Sequence, residues 1–236
     1  MTRIRNAGSA AAASTLPQEK GAAPATSRGR RTRERLLDAA AVVFERDGYL
    51  DAKLSDITVG AGVSSGTFYT YFPSKEAIFT SVITDVIDRL FAAAAVPPAV
   101  PGPAPQRIEY ATRSYLRAYA EHAGLMAILE QVSTFNPAFR EMRRTIRHSF
   151  RTRTENGIRK LQAQGRVDPE LSPRCTAEAL TSMVSNFCYA SHVLEREAYD
   201  EDEAVRTLTT LWVRGIGLGA EATWPTSTGI DRRTYR

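Results

Sequence analysis

The stretch GVSSGTFYTYFPSK, residues 62–75, sets two glycines, a series of hydroxyl and phenol side chains and one cation in a segment of helical character. Glycine and threonine are poor helix formers, and surface aromatics leave apolar area in water. A helix of this composition has a face suited to something other than its own core.

The surroundings of the stretch define its setting. Gly62 reads as a tight turn, and Ser64 is placed to cap a helix running through Phe72. Ahead of it, Leu54, Ile57 and Ala61 recur at helical spacing and stop at Gly62. Earlier still, the stripe Leu36, Leu37, Ala40, Val43 and Phe44 predicts a first helix from Thr32, as N-cap, to Asp47, with Gly48 as its C-cap. Two short helices joined by a glycine turn, with a third helix before them, form a helix-turn-helix unit. In its last helix Val63, Phe68 and Phe72 point inward. The outer face then holds Ser65, Gly66, Tyr69 and Thr70, flanked by Thr67 and Tyr71.

Two uses fit that face. Tyrosines could cover a neighbouring domain. Alternatively, hydroxyls could bond phosphates or base edges while Gly66 lets a DNA backbone come close. Charge favours DNA. Residues 1–31 carry Arg3, Arg5, Lys20, Arg28, Arg30 and Arg31 against one acid, Glu19, which equals the chain's whole net charge of +5. A basic arm on a balanced body suits a polyanion, although it also suits a solubilising tail. Lys75 adds a cation beside the amides of a helix N-terminus. The glycine turn, the hydroxyl face, Lys75 and the arginines at 28, 30 and 31 concur on DNA.

The segments FERDGY (44–49) and ITVGAGVSSGTFYTYFPSKE (57–76) resemble the DNA-binding domain of the tetracycline-repressor (TetR) family, over about residues 30–78. The resemblance implies a transcriptional regulator, usually a homodimeric repressor on a palindromic operator, with the third helix in the major groove. Carried over by position, it implies DNA contacts from Ser65, Thr67, Tyr69, Thr70 and Tyr71, a phosphate contact from Lys75, and Ser55 on the second helix. Lys53 stands where the family usually has a Ser or Thr cap, and Thr58 where it usually has Ala. With Gly60, these choices predict a second helix less firmly set than usual, since Thr and Gly cost ~0.7–1 kcal/mol against alanine.

The rest of the chain reads as helices. The expected class is all-α, about nine helices, an N-terminal three-helix DNA-binding domain followed by a helical bundle. Residues 1–27 are expected to be a disordered basic arm, 28–78 the helix-turn-helix domain, 79–219 an effector-binding and dimerisation domain, and 220–236 a disordered tail. A fourth helix from Ser74 carries paired apolar residues from Ile78 to Phe91, wide enough to face two cores. Later stripes include Ile108 to His122, Leu125 to Val132, Phe139 to Leu161, Leu180 to Leu194 and Leu208 to Ile216.

For the second domain, Tyr115, Tyr119, Met126, Met142, Phe150, Met183 and Phe187, with Tyr110 and Phe135, offer an aromatic and flexible lining for an apolar small molecule. Each would equally fill a bundle core. Arg140, Arg143, Arg144, Arg147 and Arg151 on one helix suggest an anionic effector such as acyl-CoA, or simply a solvated face. The last two helices, with small residues Ala190, Ser191, Gly215 and Gly217, are the expected homodimer interface.

Other classes are disfavoured. No nucleophile–base spacing or phosphate loop argues for an enzyme, and no cofactor is expected. Three histidines without ligand spacing argue against a metal. No segment approaches the ~20 apolar residues of a membrane span. Cys175 and Cys188, ~220° apart around one helix, read as free thiols of a cytoplasmic protein. The rival reading is a helical small-molecule or lipid-binding protein whose N-terminal module no longer binds DNA specifically. The expected mechanism is positional: ligand in the second domain shifts the fourth helix, changes the spacing of two recognition helices and lowers operator affinity.

Overall fold

The computed structural model describes residues 26–195 and 199–218, and these contain nine α-helices and no strand. Of the arm expected at 1–27, residues 1–25 lie outside the described residues, while Thr26 and Ser27 open the first helix instead; the tail expected at 220–236 lies outside the described residues.

Helix α1 spans Ser27–Asp51 and buries Leu36, Leu37, Ala40, Val43 and Phe44, the stripe expected from its spacing. Its start differs from expectation. Thr26, not Thr32, is the N-cap, its hydroxyl accepting from the Gly29 N–H at 3.1 Å. The arginine-rich first turns carry no apolar stripe to announce a helix, and Thr32 instead donates to the Arg28 carbonyl. Gly48 breaks the helical path with φ 72°, a left-handed value that glycine adopts without a Cβ penalty. That break turns Tyr49 into the core, stacked 6.0 Å from Phe44.

Helices α2 (Leu54–Gly60) and α3 (Ser65–Tyr71) follow, joined through Gly62 at φ 61°. Both apparent weaknesses of α2 have a packing reason. Thr58 is buried with its hydroxyl donated to the Ser55 carbonyl at 2.9 Å. A Cβ on Gly60 would stand 3.2 Å from the Ala39 Cβ, so glycine lets α2 lie close on α1.

Helix α4 (Lys75–Ala93) buries eight side chains from Ala77 to Leu90 and joins the three-helix unit to the rest. One continuous core runs from Leu36 and Phe68 through Ile78 and Ile83 to Leu129, Met142 and Val205. Helices α5 (Ala104–Glu121), α6 (Ala123–Phe135) and α7 (Pro137–Ala163) pack on it. Helix α8 (Pro173–Tyr189) lies along α7, and α9 (Glu201–Gly215) along α5. A smaller core of Ile158, Val167, Ala177, Leu180, Ile216 and Leu218 closes the far end.

Helix α8 runs into a π-helical turn, Ala190–Leu194. The wider winding carries Leu194 off the apolar stripe, and it is 64% exposed rather than buried as its spacing suggests.

Candidate nucleic-acid interface

The α3 cap organises the first side chains of the site. Ser64 Oγ accepts from the Thr67 N–H at 3.2 Å and shares a 3.0 Å hydrogen bond with Thr67 Oγ1. Phe68 and Phe72 are buried, their rings 6.0 Å apart, and anchor α3 from within. The outer face is as expected: Ser65, Gly66, Tyr69 and Thr70 are exposed, and Thr67 and Tyr71 are half-buried beside them. Tyr69 is 57% exposed and held edge-on by Phe68 at 5.3 Å. Thr70 Oγ1 donates to the Gly66 carbonyl at 3.1 Å, which leaves its methyl on the surface.

Gly66 is informative for what surrounds it. A Cβ there would meet only Ser64 Oγ, at 3.9 Å, and the backbone does not need a positive φ. The protein's own packing gives no reason for glycine at this position.

Arg28, Arg30 and Arg31 sit on the first turns of α1, all exposed, and not in an extended arm. A cleft of ≈ 470 Å³ separates α1 from the α2–α3 turn. Thr26, Arg28, Thr32 and Arg35 line one wall, and Ser64, Thr67 and Tyr71 the other. Two of the residues singled out on α3 therefore share a cleft with one of the three arginines.

Ser55, at the start of α2, is exposed and donates to Asp56 Oδ1 at 3.1 Å. Arg46 grips Asp47 with two bonds of 2.6 and 2.7 Å and reaches Asp56 at 3.1 Å. Lys53 caps α2 without a side-chain hydrogen bond. Lys75 is placed differently from the simple picture of a free surface cation. Its ammonium donates to the Leu50 and Ala52 carbonyls, both at 3.0 Å, and lies 5.0 Å from the Tyr49 ring centroid. It ties the α1–α2 corner to α4, through acceptors too distant in sequence to be seen by spacing.

Of the seven candidate effector residues, Tyr119, Met126 and Met142 are buried in the larger core, and Tyr115, Phe150, Met183 and Phe187 pack half-buried against that core. Tyr115 lies 6.1 Å from Tyr119 and 5.8 Å from Phe150, centroid to centroid. Burial raises the pKa of both tyrosines and pushes the Cys188 thiol up to about 12. Phe187 also lines a cavity of ≈ 270 Å³ with Leu116, Ser191, His192 and Tyr199. Tyr110 and Phe135, by contrast, are 40% and 50% exposed.

The five arginines of α7 are held by the protein itself. Arg140 donates to the Ser133 and Thr134 carbonyls, covering the C-terminus of α6. Arg147 and Arg151 share Glu178, Arg144 pairs with Glu141, and Arg143 lies 2.6 Å from Glu130. A solvated and structural face is the reading that this arrangement supports.

Two links tie the α7 region to the N-terminal unit. Phe139 is buried edge-on against Tyr49 at 5.3 Å and against Phe79 at 5.1 Å. Arg153 donates to the Phe91 and Ala94 carbonyls at 2.8 and 2.6 Å, capping α4. Helix α9 is clasped to α5 by Glu201, which meets Arg113 at 2.9 Å and Arg117 at 2.7 Å. Leu194, Tyr199 and Leu211 are at least half-exposed on the side of α8 and α9. No described helix is long and apolar enough to cross a membrane.

Comparison with known proteins bears on both halves of the chain. The family model for bacterial regulatory proteins of the tetR family matches residues 36–82, and that for the C-terminal domain of transcriptional regulator EthR matches 108–217. The chain is 27% identical to the HTH-type transcriptional regulator EthR of Mycolicibacterium smegmatis over 184 residues, 77% of this chain and 84% of that one. Against EthR of Mycobacterium tuberculosis it is 26% identical over 212 residues, 88% and 96% of the two chains. An HTH-type regulator of Bacillus subtilis, YdgC, is 50% identical over 64 residues, 27% of this chain and 33% of that one. Among solved structures, the fatty acid degradation regulator FadR of Bacillus halodurans superimposes with a TM-score of 0.66 at 19% identity, covering 77% of this chain and 94% of its own. Salmonella enterica GusR does so with a TM-score of 0.66 at 21% identity, covering 80% and 96%.

Proposed function

The chain belongs to the TetR family of bacterial regulatory proteins, and from that premise we propose that it is a homodimeric repressor released from a palindromic operator by a small apolar effector. It is a DNA-binding transcriptional regulator with a ligand-binding domain. The observation that carries the DNA reading is the outer face of α3, with its hydroxyls, phenol and open space over Gly66, whose flanking Thr67 and Tyr71 share a cleft with Arg28 and Arg35 of α1.

In this reading α3 enters the major groove with Ser65, Gly66, Thr67, Tyr69, Thr70 and Tyr71 toward the duplex. With no Arg, Asn or Gln on that face, the usual bidentate base readers are lacking. Thr67, Thr70 and Ser65 then discriminate through hydroxyl and methyl contacts, while the phenols position the helix. Ser55 and Arg28, Arg30 and Arg31 meet the backbone. Lys75 spends two of its three N–H groups on carbonyls and has one left for a phosphate.

The effector proposed is uncharged and apolar, seated among Tyr115, Tyr119, Met126, Met142, Phe150, Met183 and Phe187. Acyl-CoA is not favoured, because the α7 guanidiniums already have partners within the protein. Coupling to DNA would run through Phe139 and Arg153, which touch the Tyr49–Phe79 pair and the end of α4. An effector that moves α7 would then shift α4, and with it the separation of two α3 helices in a dimer. Dimerisation is assigned to α8 and α9, where Leu211 of α9 and Leu194 of the π-helical turn after α8 are more than half-exposed.

The reading is tested by selecting duplexes from a random library with the full-length protein. Enriched sequences should contain two symmetric half-sites spaced by about one helical turn, ~10 base pairs, or a multiple. Absence of any enriched sequence would favour the rival, a small-molecule-binding protein with an N-terminal module that no longer recognises DNA.

A further inference from the structure

The cleft between α1 and the α2–α3 turn contains a cation that sequence matching did not single out. Arg35 is exposed on the third turn of α1, and its Nη1 lies 3.9 Å from where a Cβ on Gly62 would stand. Several basic groups of the N-terminal unit are already engaged, Arg33 with Ser81 and the Phe72 ring, Arg46 with two aspartates and Lys75 with two carbonyls, while Arg28 lines the same cleft as Arg35. Among the described residues Arg35 has no carboxylate within ion-pair distance and no carbonyl or hydroxyl acceptor. It nevertheless faces Thr67 and Tyr71, one turn apart on α3, across a polar cleft of ≈ 470 Å³. An unpaired guanidinium opposite two hydroxyls is suited to a tetrahedral oxyanion, since its planar donor fork matches phosphate oxygens.

Resting on the DNA-binding reading, we propose that this cleft seats one backbone phosphate of the bound duplex, gripped from α1 by Arg35 and from α3 by the Thr67 and Tyr71 hydroxyls. Arg35 is then a positioning residue. It holds on the backbone, without reading sequence, a recognition helix that has no bidentate base readers of its own. One phosphate would bridge α1 and α3, so the duplex would be held by both walls of the cleft. Arg35 supplies the charge, and the hydroxyls supply direction.

The test uses a duplex enriched by the wild-type full-length protein and a random duplex of equal length, each titrated by fluorescence polarisation from 50 to 300 mM salt. Arg35→Gln should bind both duplexes more weakly by the same factor. It should also flatten the slope of log K against log salt by ~0.9 for each protomer bound, the value for one neutralised phosphate on B-DNA. Arg35→Lys should restore most of the slope. With no partner to lose among the described residues, Arg35→Gln should unfold at the wild-type temperature, which separates the effect from misfolding. An unchanged slope would overturn the assignment while leaving the DNA-binding reading intact. A loss confined to the enriched duplex would make Arg35 a base reader and also overturn it. If the wild-type protein enriches no duplex, the DNA-binding reading itself fails, and this assignment with it.

Discussion

Replacing Gly66 by alanine should move stability and DNA binding in opposite directions. Glycine within a helix costs ~0.5–1 kcal/mol against alanine. Nothing among the described residues offsets that cost at Gly66, because an added Cβ would meet only Ser64 Oγ at an ordinary 3.9 Å. Gly66→Ala should therefore stabilise the fold by ~0.5–1 kcal/mol, near the lower figure because α3 is only 7 residues long. For a domain of this size that is a rise in Tm of ~1–4 °C, measurable by calorimetry. On DNA, the same methyl enters a space reserved for the duplex. A methyl forced into a close-packed contact costs ~1–3 kcal/mol, or roughly fivefold to over a hundredfold in Kd by polarisation titration. Unchanged Kd beside a raised Tm would show that no duplex approaches Gly66, and the account of α3 would fail. A lowered Tm would refute the packing argument instead.

Four further outcomes are expected. Lys75→Met removes a cation that donates to two carbonyls at 3.0 Å and should cost ~1.5–3 kcal/mol in chemical denaturation, a larger loss than any surface lysine unrelated to packing. Arg117 holds the Glu201 carboxyl below the usual carboxylate range, so this clasp is complete above the unfolded pKa of about 4.3 and is lost as pH falls through the folded value. The Tm difference between wild type and Arg117→Gln should accordingly vanish under acid conditions, and a gap that persists at pH 2.5 would contradict the assignment. Cys188 is buried with its thiol raised to about 12, whereas Cys175 is exposed. A thiol reagent at pH 8 should thus modify one cysteine of the native protein quickly and the second only on unfolding. Leu211→Glu places a charge on an exposed α9 position, 52% accessible in the protomer, and should yield monomers in sedimentation at micromolar concentration if α9 lies in the dimer interface. Retention of the dimer would move that interface elsewhere.

Local physics made the N-terminal unit readable. Ser64 and Gly62 act on their immediate neighbours, so the cap and turn of α3 follow from adjacent residues, and Phe68 and Phe72 take the inward side at simple helical spacing. The start of α1 was hidden because the Arg28–Arg31 turns have no buried apolar stripe, only a Thr26 cap. Contacts across long sequence separations were hidden for a different reason. The acceptors of Lys75 lie 23 and 25 residues away, and Glu178, which pairs with both Arg147 and Arg151, lies 31 and 27 residues from them. Periodicity shows which face a side chain takes, not which element lies opposite. For the same reason a cluster such as Tyr115, Tyr119 and Phe150 reads equally as core and as pocket until the packing is known. Gly60 shows the reverse hazard: poor propensity there reflects the close approach of Ala39, not a loose helix.

The central claim is that α3 and the arginines of α1 form one surface for a specific DNA sequence. The measurement that addresses it most directly is the ratio of Kd values for an enriched duplex and a random duplex at physiological salt. The account predicts a ratio of at least ~10³, with log K for both falling steeply and linearly as log salt rises. Equal affinity for the two duplexes within a factor of a few would contradict it.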